Sequence, residues 1–254
     1  MYKIIEKEML TANICKMVVE AKRVAKSCKP GQFVIVRMDD ESERIPLTIC
    51  DYDRAAGTIT IVFQPVGAGT TMMQKLNAGD SFRDFVGPLG QPSELCSESV
   101  EELKKKKIVF IAGGVGTAPV YPQVKWLHDL GVEADVIVGA KTHDLLILED
   151  EFKSVAGNLY VTTDDGSYGR SGMVTKTLED LYAEGKTYDL CIAIGPMIMM
   201  KAVCTSLSTG GQASLEERMG CGTGFCYGCT IMTRKGAVRV CKEGPVFDKE
   251  DIVW

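Results

Sequence analysis

The sequence predicts an N-terminal antiparallel β-barrel, a doubly wound α/β domain built on a parallel sheet, and a small cysteine-rich module at the C-terminal end. Three observations support this prediction. Short apolar runs follow one another closely up to about residue 95, strand-like and helix-like segments alternate from residue 108, and four cysteines gather after residue 220. We expect domains over residues 1–100, 101–212 and 213–254.

The composition excludes several classes of protein. With 254 residues and 45% hydrophobic content, the chain can bury a sizeable core and is not disordered. Its net charge of −5 argues against a nucleic-acid partner. No stretch approaches a membrane span, and the first residues are charged throughout rather than apolar. We therefore expect a cytoplasmic protein whose ten cysteines are reduced.

The barrel is predicted from short strand-like runs separated by turn sequences. The runs are KMVVEA, QFVIVRM, PLTICDY, TITIVFQ and DSFRDFVG, and the turns between them are KPGQ, DRAAG, NAGD and GPLG. Several short strands in series are typical of a β-barrel or sandwich. A short helix is expected from Met72 to Leu76, and the charged segment SELCSESVEELKKKK is expected to link the barrel to the next domain.

Within the barrel, two segments are compatible with a flavin. Arg44 precedes Pro46, Leu47 and Thr48 on a predicted strand, and the run Gly67 to Thr70 precedes the short helix. A proline on a strand and a glycine-rich helix start would suit a flavin lying along the barrel with its phosphates on the helix N-terminus. Taken on their own, these residues support an ordinary edge strand and turn equally well.

The α/β domain is predicted from the switch in pattern after the linker. IVFIAGG, ADVIVGA, LYVTTDD and YDLCIAIG are strand-like, and the segments between them, PVYPQVKWLHDLG, LEDEFKSVA and SGMVTKTLEDLYAEG, are helix-like. Strands that alternate with helices indicate βαβ units and a parallel sheet.

A glycine cluster follows the first strand of this domain. Gly113, Gly114, Gly116 and Thr117 stand between that strand and the next helix, where backbone N–H groups can hold a pyrophosphate. The spacing is not G-x-G-x-x-G, and a tight turn would also require glycine. Its place at the carboxyl end of the first strand favours a dinucleotide.

Two more loops are expected at the same edge of the sheet. Asp164 and Asp165 follow one strand, and Gly195, Pro196 and Met197 follow another. Because the carboxyl ends of parallel strands meet at one edge, the three loops should form a cleft. Each loop alone is only a turn signal, and the two aspartates could equally be a helix cap and a solvated acid.

The cysteine-rich segment has the spacing of an iron–sulfur site. Cys221, Cys226 and Cys229 form a C-x4-C-x2-C loop, and Cys241 follows twelve positions later. This is the plant-type ligation pattern of a [2Fe–2S] cluster, and glycines within the loop let backbone N–H groups approach the sulfurs. The alternative is a structural zinc site with four cysteines, although zinc modules usually present two short cysteine pairs.

These motifs resemble those of the flavin and [2Fe–2S] electron-transfer subunits related to ferredoxin–NADP reductases. SLEERMGCGTGFCYGC and RVCKEGPVF resemble the electron-transfer subunit of NAD-dependent dihydroorotate dehydrogenase. RIPLTICDYD, ITIVFQPVG, FVGPLGQPSE, GAKTHDLLILEDE, VTTDDGSYGRSG and AIGPMIMMK are more similar to the small subunit of NADH-dependent reduced ferredoxin:NADP oxidoreductase, also described as a sulfide dehydrogenase subunit. The resemblance covers essentially the whole chain.

The resemblance implies three cofactor sites. It implies NAD(P)H at the loop of Gly113 and a cluster on the four cysteines. It implies FAD bound by the following residues: Pro46, Leu47, Thr48, Val62, Phe63, Gln64, Gly69 and Thr70.

Three positions depart from the patterns of the relatives. Dihydroorotate-type relatives often carry two arginines before the proline; here Arg44 is kept as a cationic contact to FAD and Ile45 takes the second place. Ile194 replaces the cysteine before Gly-Pro in ferredoxin reductases. Cys221 stands where the bifurcating small subunit often has aspartate, which could shift the potential of the cluster.

The three cofactors together imply electron transfer without a catalytic acid or base. A nicotinamide delivers two electrons as a hydride and a [2Fe–2S] cluster accepts one, so FAD is required between them. The chain shows no site for a terminal substrate, and we expect a larger catalytic subunit with its own flavin or iron–sulfur centres as partner. The alternatives are a stand-alone NAD(P)H reductase serving a soluble ferredoxin or another acceptor, and a zinc-containing nucleotide-sensing module. NADH is expected over NADPH, although Lys141 and Arg170 lie where a 2′-phosphate could be met.

Overall fold

The computed structural model describes all residues from Met1 to Trp254, and they fall into two compact units. Unit 1 comprises Met1–Ser93, Glu216–Ile231 and Ala237–Pro245, and unit 2 comprises Glu94–Leu215, Met232–Gly236 and Val246–Trp254. The residues predicted as a separate C-terminal module are thus divided between the two units. The division into three domains remains a prediction.

Unit 1 contains a nearly closed antiparallel barrel sheet, as the sequence predicts. Its seven strands are arranged in the order β6-β1-β2-β5-β4-β3-β7. They are β1 (Tyr2–Thr11), β2 (Ile14–Glu20), β3 (Phe33–Arg37), β4 (Ile45–Asp53), β5 (Thr58–Phe63), β6 (Ser81–Phe82) and β7 (Asp84–Leu89). Apolar side chains from these strands, among them the fully buried Met17, Ile61 and Phe82, fill the interior of the barrel.

Two short helices accompany the barrel, α1 (Lys22–Ser27) and α2 (Ala68–Met73). The sequence prediction missed α1 and placed the second helix too late, at 72–76. Helix α2 begins earlier because Gly67 and Thr70 close its first turn: the Gly67 N–H donates to Oγ1 of Thr70 at 3.1 Å, and that hydroxyl donates to the Gly67 carbonyl at 3.2 Å.

Unit 2 is built on a second seven-stranded sheet, in the order β11-β10-β9-β8-β12-β13-β16. Its strands are β8 (Ile108–Gly113), β9 (Ala134–Ala140), β10 (Asn158–Thr163), β11 (Arg170–Ser171), β12 (Leu190–Ile194), β13 (Gly210–Ser214) and β16 (Val246–Asp248). All neighbours run parallel except β16, which pairs antiparallel with β13. Every residue of the central strand β8 is buried, as expected for a parallel strand covered on both faces.

Helices connect the strands of unit 2 in the predicted alternation, and one short helix precedes the first strand. They are α3 (Val100–Leu103), α4 (Thr117–Asp129), α5 (Glu149–Val155), α6 (Val174–Ala183) and α7 (Met197–Ser206), with 3-10 turns at Glu94–Ser97, Gly114–Gly116 and His143–Leu145. Strand β8 pairs with β9 on one side and β12 on the other, so the order of the strands reverses there. Ligands of open α/β sheets bind outside the carboxyl ends of the strands at such a reversal.

The cysteine-rich segment has little regular structure. After the loop of Cys221 to Cys229 come the short hairpin of β14 (Thr230–Thr233) and β15 (Gly236–Arg239) and the single-turn helix α8 (Val240–Glu243). No helix of the chain combines the length and apolar character needed to cross a lipid bilayer.

Candidate functional site

The cysteine loop directs its backbone N–H groups at sulfur. The sulfur of Cys221 accepts N–H groups from Thr223 at 3.4 Å, Phe225 at 3.2 Å and Cys226 at 3.4 Å. Three donors on one sulfur stabilise a thiolate there. Burial opposes this effect, but hydrogen bonds from the backbone and side chains of Cys226 and Thr223 outweigh it and lower the pKa of Cys221 to about 5.

The other cysteines follow a matching arrangement. The Gly224 N–H donates to the sulfur of Cys241 at 3.1 Å, and the Cys241 N–H donates to the sulfur of Cys229 at 3.4 Å. The four thiols also interact in two pairs through side-chain hydrogen bonds, Cys221 with Cys226 and Cys229 with Cys241. No three of these side chains gather around one point as ligands of a single ion would.

Of the second pair, Cys241 lies in surroundings that disfavour a thiolate. Cys229 and Cys241 are buried, whereas Cys221 is half-buried and Cys226 is exposed. Burial, and then the neighbouring Cys229, raise the pKa of Cys241 to about 12. A thiolate at Cys241 therefore requires a compensating positive charge, which an iron or zinc centre would supply.

The barrel holds the start of the loop in place. Gly222 has a left-handed φ of +72°, and a Cβ added there would lie 2.5 Å from Cδ1 of Ile35 on β3 and 2.8 Å from Cδ1 of Leu89 on β7. Only glycine satisfies both conditions. The loop that carries the cysteines is thus packed against the strands β3 and β7.

Arg44 connects the strand β4 with the same loop. It immediately precedes β4, and its Nε donates to the carbonyl oxygen of Gly220 at 2.6 Å, next to Cys221. Its Nη1 also lies 3.9 Å from Oδ2 of Asp84. The sequence prediction made Arg44 a contact to FAD; the structure places its guanidinium at the cysteine loop, and the FAD contact remains a prediction.

The two predicted flavin segments are neighbours within unit 1. Pro46, Leu47 and Thr48 are consecutive half-buried residues of β4. Just before this strand, a carboxylate oxygen of Glu43 accepts the N–H of Gly69 at 2.8 Å, in the first turn of α2. This hydrogen bond joins the start of β4 to the start of α2. An anionic group thus already lies where the sequence predicts a flavin phosphate.

The remaining predicted flavin residues are less accessible. Val62 and Phe63 are buried at the end of β5, with exposed fractions of 6% and 2%, and Phe63 belongs to the barrel core. Gln64 directly follows the strand and is half-buried.

In unit 2, two of the three predicted loops meet at the carboxyl edge of the sheet. A Cβ added to Gly116 would lie 2.5 Å from the carbonyl oxygen of Ile194 and 2.7 Å from Cα of Gly195. A Cβ on Gly113 would lie 3.3 Å from Cδ of Pro196. The loops after β8 and β12 therefore touch through their backbones at the point where the strand order reverses, with Thr117 buried at the start of α4 and Met197 half-exposed at the start of α7.

The third loop lies farther along the same edge, two strands away from β8. The Asp164 N–H donates to the carbonyl of Ala140 at 3.0 Å, so this loop adjoins the end of β9. The Ser167 hydroxyl and N–H donate to Asp165 and lower the pKa of its carboxyl. Gly113 is thus brought together with Gly195 but not with the two aspartates.

Sequence reasoning missed three residues that the structure connects to these sites. Glu43 accepts the N–H of Gly69 in α2. Arg239 and Glu243 flank Cys241, and Arg239 donates to the Gly224 carbonyl in the cysteine loop and to Glu243. Their contacts join residues far apart in the chain, and no spacing pattern identifies them. The only available signal was the position of Arg239, two residues before a predicted ligand.

Comparisons with known proteins agree with this arrangement. The model of the iron–sulfur cluster binding domain of dihydroorotate dehydrogenase B matches residues 216–253, and the model of the oxidoreductase NAD-binding domain matches residues 110–205.

Related chains cover nearly the full length. An uncharacterized protein from the adh 3′ region of Clostridium beijerinckii is 53% identical over 98% of this chain and 85% of its own. A dihydroorotate dehydrogenase B (NAD+) electron transfer subunit homolog of Thermotoga maritima is 36% identical over 99% of this chain and 87% of its own. A solved chain of the NADH-dependent reduced ferredoxin–NADP oxidoreductase superposes with a TM-score of 0.90 at 34% identity, covering 100% of this chain and 90% of that one. Both resemblances predicted from the sequence are confirmed, and so is the ferredoxin reductase-like fold.

Proposed function

The chain belongs to the family of dihydroorotate dehydrogenase B electron-transfer subunits, and we propose that it carries electrons between NAD(H), FAD and a [2Fe–2S] cluster for a larger oxidoreductase complex. The observation that carries the proposal is the cysteine loop, whose N–H groups point at paired sulfurs. When bound, the nicotinamide and the flavin supply two-electron chemistry and the cluster supplies one-electron chemistry.

The four thiols suit a cluster of two irons better than a single zinc ion. Cys221 with Cys226 and Cys229 with Cys241 would each supply two thiolates to one iron. A structural zinc ion would need all four sulfurs around one point in a tetrahedron. The N–H groups of residues 223–226 would remain hydrogen-bonded to the sulfurs and would exclude water from this side of the cluster.

FAD would be held on the barrel. Pro46, Leu47 and Thr48 would line its path along β4, with backbone from Val62 to Gln64 beside it, and Gly69 and Thr70 would bind its phosphates at the start of α2. The Glu43 carboxylate supports this assignment because it is itself an anion on the N–H of Gly69. A phosphate at this position would have to displace Glu43.

The dinucleotide would bind at the strand reversal of unit 2. Gly113, Gly114, Gly116 and Thr117 would present the N-terminus of α4 to its pyrophosphate, and the Gly195-Pro196-Met197 turn would line the same cleft. Asp164 and Asp165 would contact the bound dinucleotide from the neighbouring loop after β10.

We favour NADH over NADPH as the nucleotide. Both terminal guanidinium nitrogens of Arg170, Nη1 and Nη2, donate to the carboxylate of Glu184, at 2.9 and 3.2 Å. An arginine paired in this way is not free to bind a 2′-phosphate. Lys141 remains as an exposed cation at the end of β9.

The protein would work in the cytoplasm with a larger subunit that carries its own flavin or iron–sulfur centres. The name of the Thermotoga relative, an electron transfer subunit homolog, supports a partner. A cluster held by four cysteine thiolates suits a reducing compartment. Dihydroorotate oxidation and ferredoxin-linked bifurcation are the two activities that the comparisons suggest for such a complex.

Affinity purification from the native organism tests the proposal. We expect a stoichiometric larger partner, FAD, and iron with acid-labile sulfide in equal amounts. Purification without a partner but with flavin and iron would indicate a stand-alone reductase. Zinc in place of iron, without flavin, would contradict the proposal and support a nucleotide-sensing module.

A further inference from the structure

We propose that Arg239 is a positioning residue that raises the reduction potential of the cluster by polarising the peptide group between Gly224 and Phe225. The proposal rests on the proposed function, because it presupposes a cluster on the four cysteines. It assigns a role to a side chain that is neither a ligand nor part of any nucleotide motif.

The hydrogen bonds around this peptide group form a continuous chain. Nη1 of Arg239 donates to the Gly224 carbonyl oxygen at 2.9 Å. The N–H at the other end of the same peptide group belongs to Phe225, and it donates to the sulfur of Cys221 at 3.2 Å. The guanidinium charge therefore acts on the carbonyl end of a peptide group whose N–H end is hydrogen-bonded to a predicted cluster ligand.

Such chains strengthen their members. A cation on a carbonyl oxygen draws electron density from the amide, so its N–H becomes a better donor to the sulfur. Reduction adds negative charge to the cluster and its thiolates, which that donor then stabilises. Arg239 should therefore favour the reduced cluster, both by its charge and through the Phe225 N–H.

Two contacts fix the guanidinium in this position. Its carbon lies 4.9 Å from the ring centroid of Tyr227, a residue of the cysteine loop with a left-handed φ of +58°. The carboxylate of Glu243 accepts hydrogen bonds from Nη2 of Arg239 at 2.7 Å and from Nε at 3.3 Å. The same carboxylate also accepts the backbone N–H of Arg239 at 2.7 Å, which fixes the strand β15 just before Cys241.

Glu243 has the opposite electrostatic effect. Its carboxylate partly neutralises the guanidinium, so it lowers the polarisation that reaches the Gly224 carbonyl. Removing the charge of Glu243 should raise the potential, whereas removing the charge of Arg239 should lower it. A purely structural role for the pair would not produce shifts of opposite sign.

The test is a redox titration of the full-length, cofactor-loaded protein, followed by the EPR signal of the reduced cluster. In Arg239→Gln we expect the ratio of reduced to oxidised cluster at a fixed solution potential to fall about tenfold, which is about 59 mV for one electron. In Glu243→Gln the ratio should rise, and Arg239→Lys, which keeps the charge, should recover part of the loss.

Arg218→Gln is the matched control. Arg218 is an exposed arginine three residues before Cys221, and it has no hydrogen bond to the 224–225 peptide group. Its loss should leave the ratio nearly unchanged. Equal shifts in the Arg218 and Arg239 variants, or shifts of the same sign in the Arg239 and Glu243 variants, would overturn the proposal.

The outcomes separate this proposal from the proposed function. If the wild-type protein contains no iron or sulfide, the proposed function fails. If the wild-type cluster is present and the Glu243→Gln potential does not rise, only the role of Arg239 fails. If Arg239→Gln does not retain its cluster, the potential of the Glu243→Gln variant still tests the role of Arg239.

Discussion

Replacing Gly222 with alanine should release the cysteine loop from the barrel. Gly222 has a φ of +72°, a conformation that costs an L-residue about 1–2 kcal/mol. The added Cβ would also lie 2.5 Å from Cδ1 of Ile35 and 2.8 Å from Cδ1 of Leu89. Ile35 is fully buried, so relieving this contact means repacking the barrel interior, and the overpacking adds about 1–3 kcal/mol. The loss of unfolding free energy should total about 2–5 kcal/mol.

A matched variant separates the backbone term from the steric term. Gly79 also lies in unit 1, has a φ of +99°, and a Cβ there would meet nothing within 4 Å. Gly79→Ala should therefore cost only the backbone term of about 1–2 kcal/mol. Ile35→Val removes the Cδ1 atom that the Cβ added in Gly222→Ala would meet, so the double variant should recover part of the steric cost.

The assay is urea denaturation of the cofactor-loaded protein, with the visible absorbance of the cluster as the signal. Gly222→Ala should lose its cluster at a markedly lower urea concentration than Gly79→Ala, and Ile35→Val should narrow that gap. Equal midpoints for the two glycine variants, or no improvement in the double variant, would refute the packing of the loop on β3 and β7.

Three further predictions concern the other sites. Glu43→Gln removes the carboxylate from the first turn of α2 and should tighten FAD binding roughly threefold to tenfold in a fluorescence titration; unchanged or weaker binding would argue against phosphates at that turn. Gly116→Ala places a Cβ 2.5 Å from the carbonyl oxygen of Ile194, and should weaken NADH binding by about tenfold while FAD and iron content stay at wild-type levels; normal NADH affinity would count against the cleft. Burial, and then the hydrogen bond to Asp135, raise the pKa of Tyr188, so its contribution to stability is present below about pH 10 and is lost as the pH rises further. The unfolding free energy of Tyr188→Phe should decline less steeply above that pH, and parallel curves for the two proteins would disprove the assignment.

Much of the fold and of the candidate site can be predicted from the sequence because the signals are local. The spacing of Cys221, Cys226 and Cys229 lies within nine residues, and the glycine cluster at Gly113 directly follows its strand. The alternation of strands and helices from residue 108 likewise predicts the parallel sheet and the edge at which the loops after β8 and β12 meet.

The features that were missed depend on contacts between distant residues. Glu43 meets Gly69 across 26 positions and Arg44 meets Gly220 across 176, so no window of sequence contains either pair. The short strand β16 reads as part of the cysteine-rich module, yet it pairs with β13 of the second sheet. Three residues with weak periodicity do not indicate which sheet they join.

The most direct measurement mixes the isolated, oxidised protein with one equivalent of NADH without oxygen and follows the flavin absorbance together with the EPR spectrum of the cluster. We expect that the flavin band bleaches first and that the signal of a reduced [2Fe–2S] cluster then appears in the same sample. Protein that contains iron and flavin and binds NADH, but shows neither bleaching nor a cluster signal, would contradict electron transfer from nicotinamide to cluster within this chain.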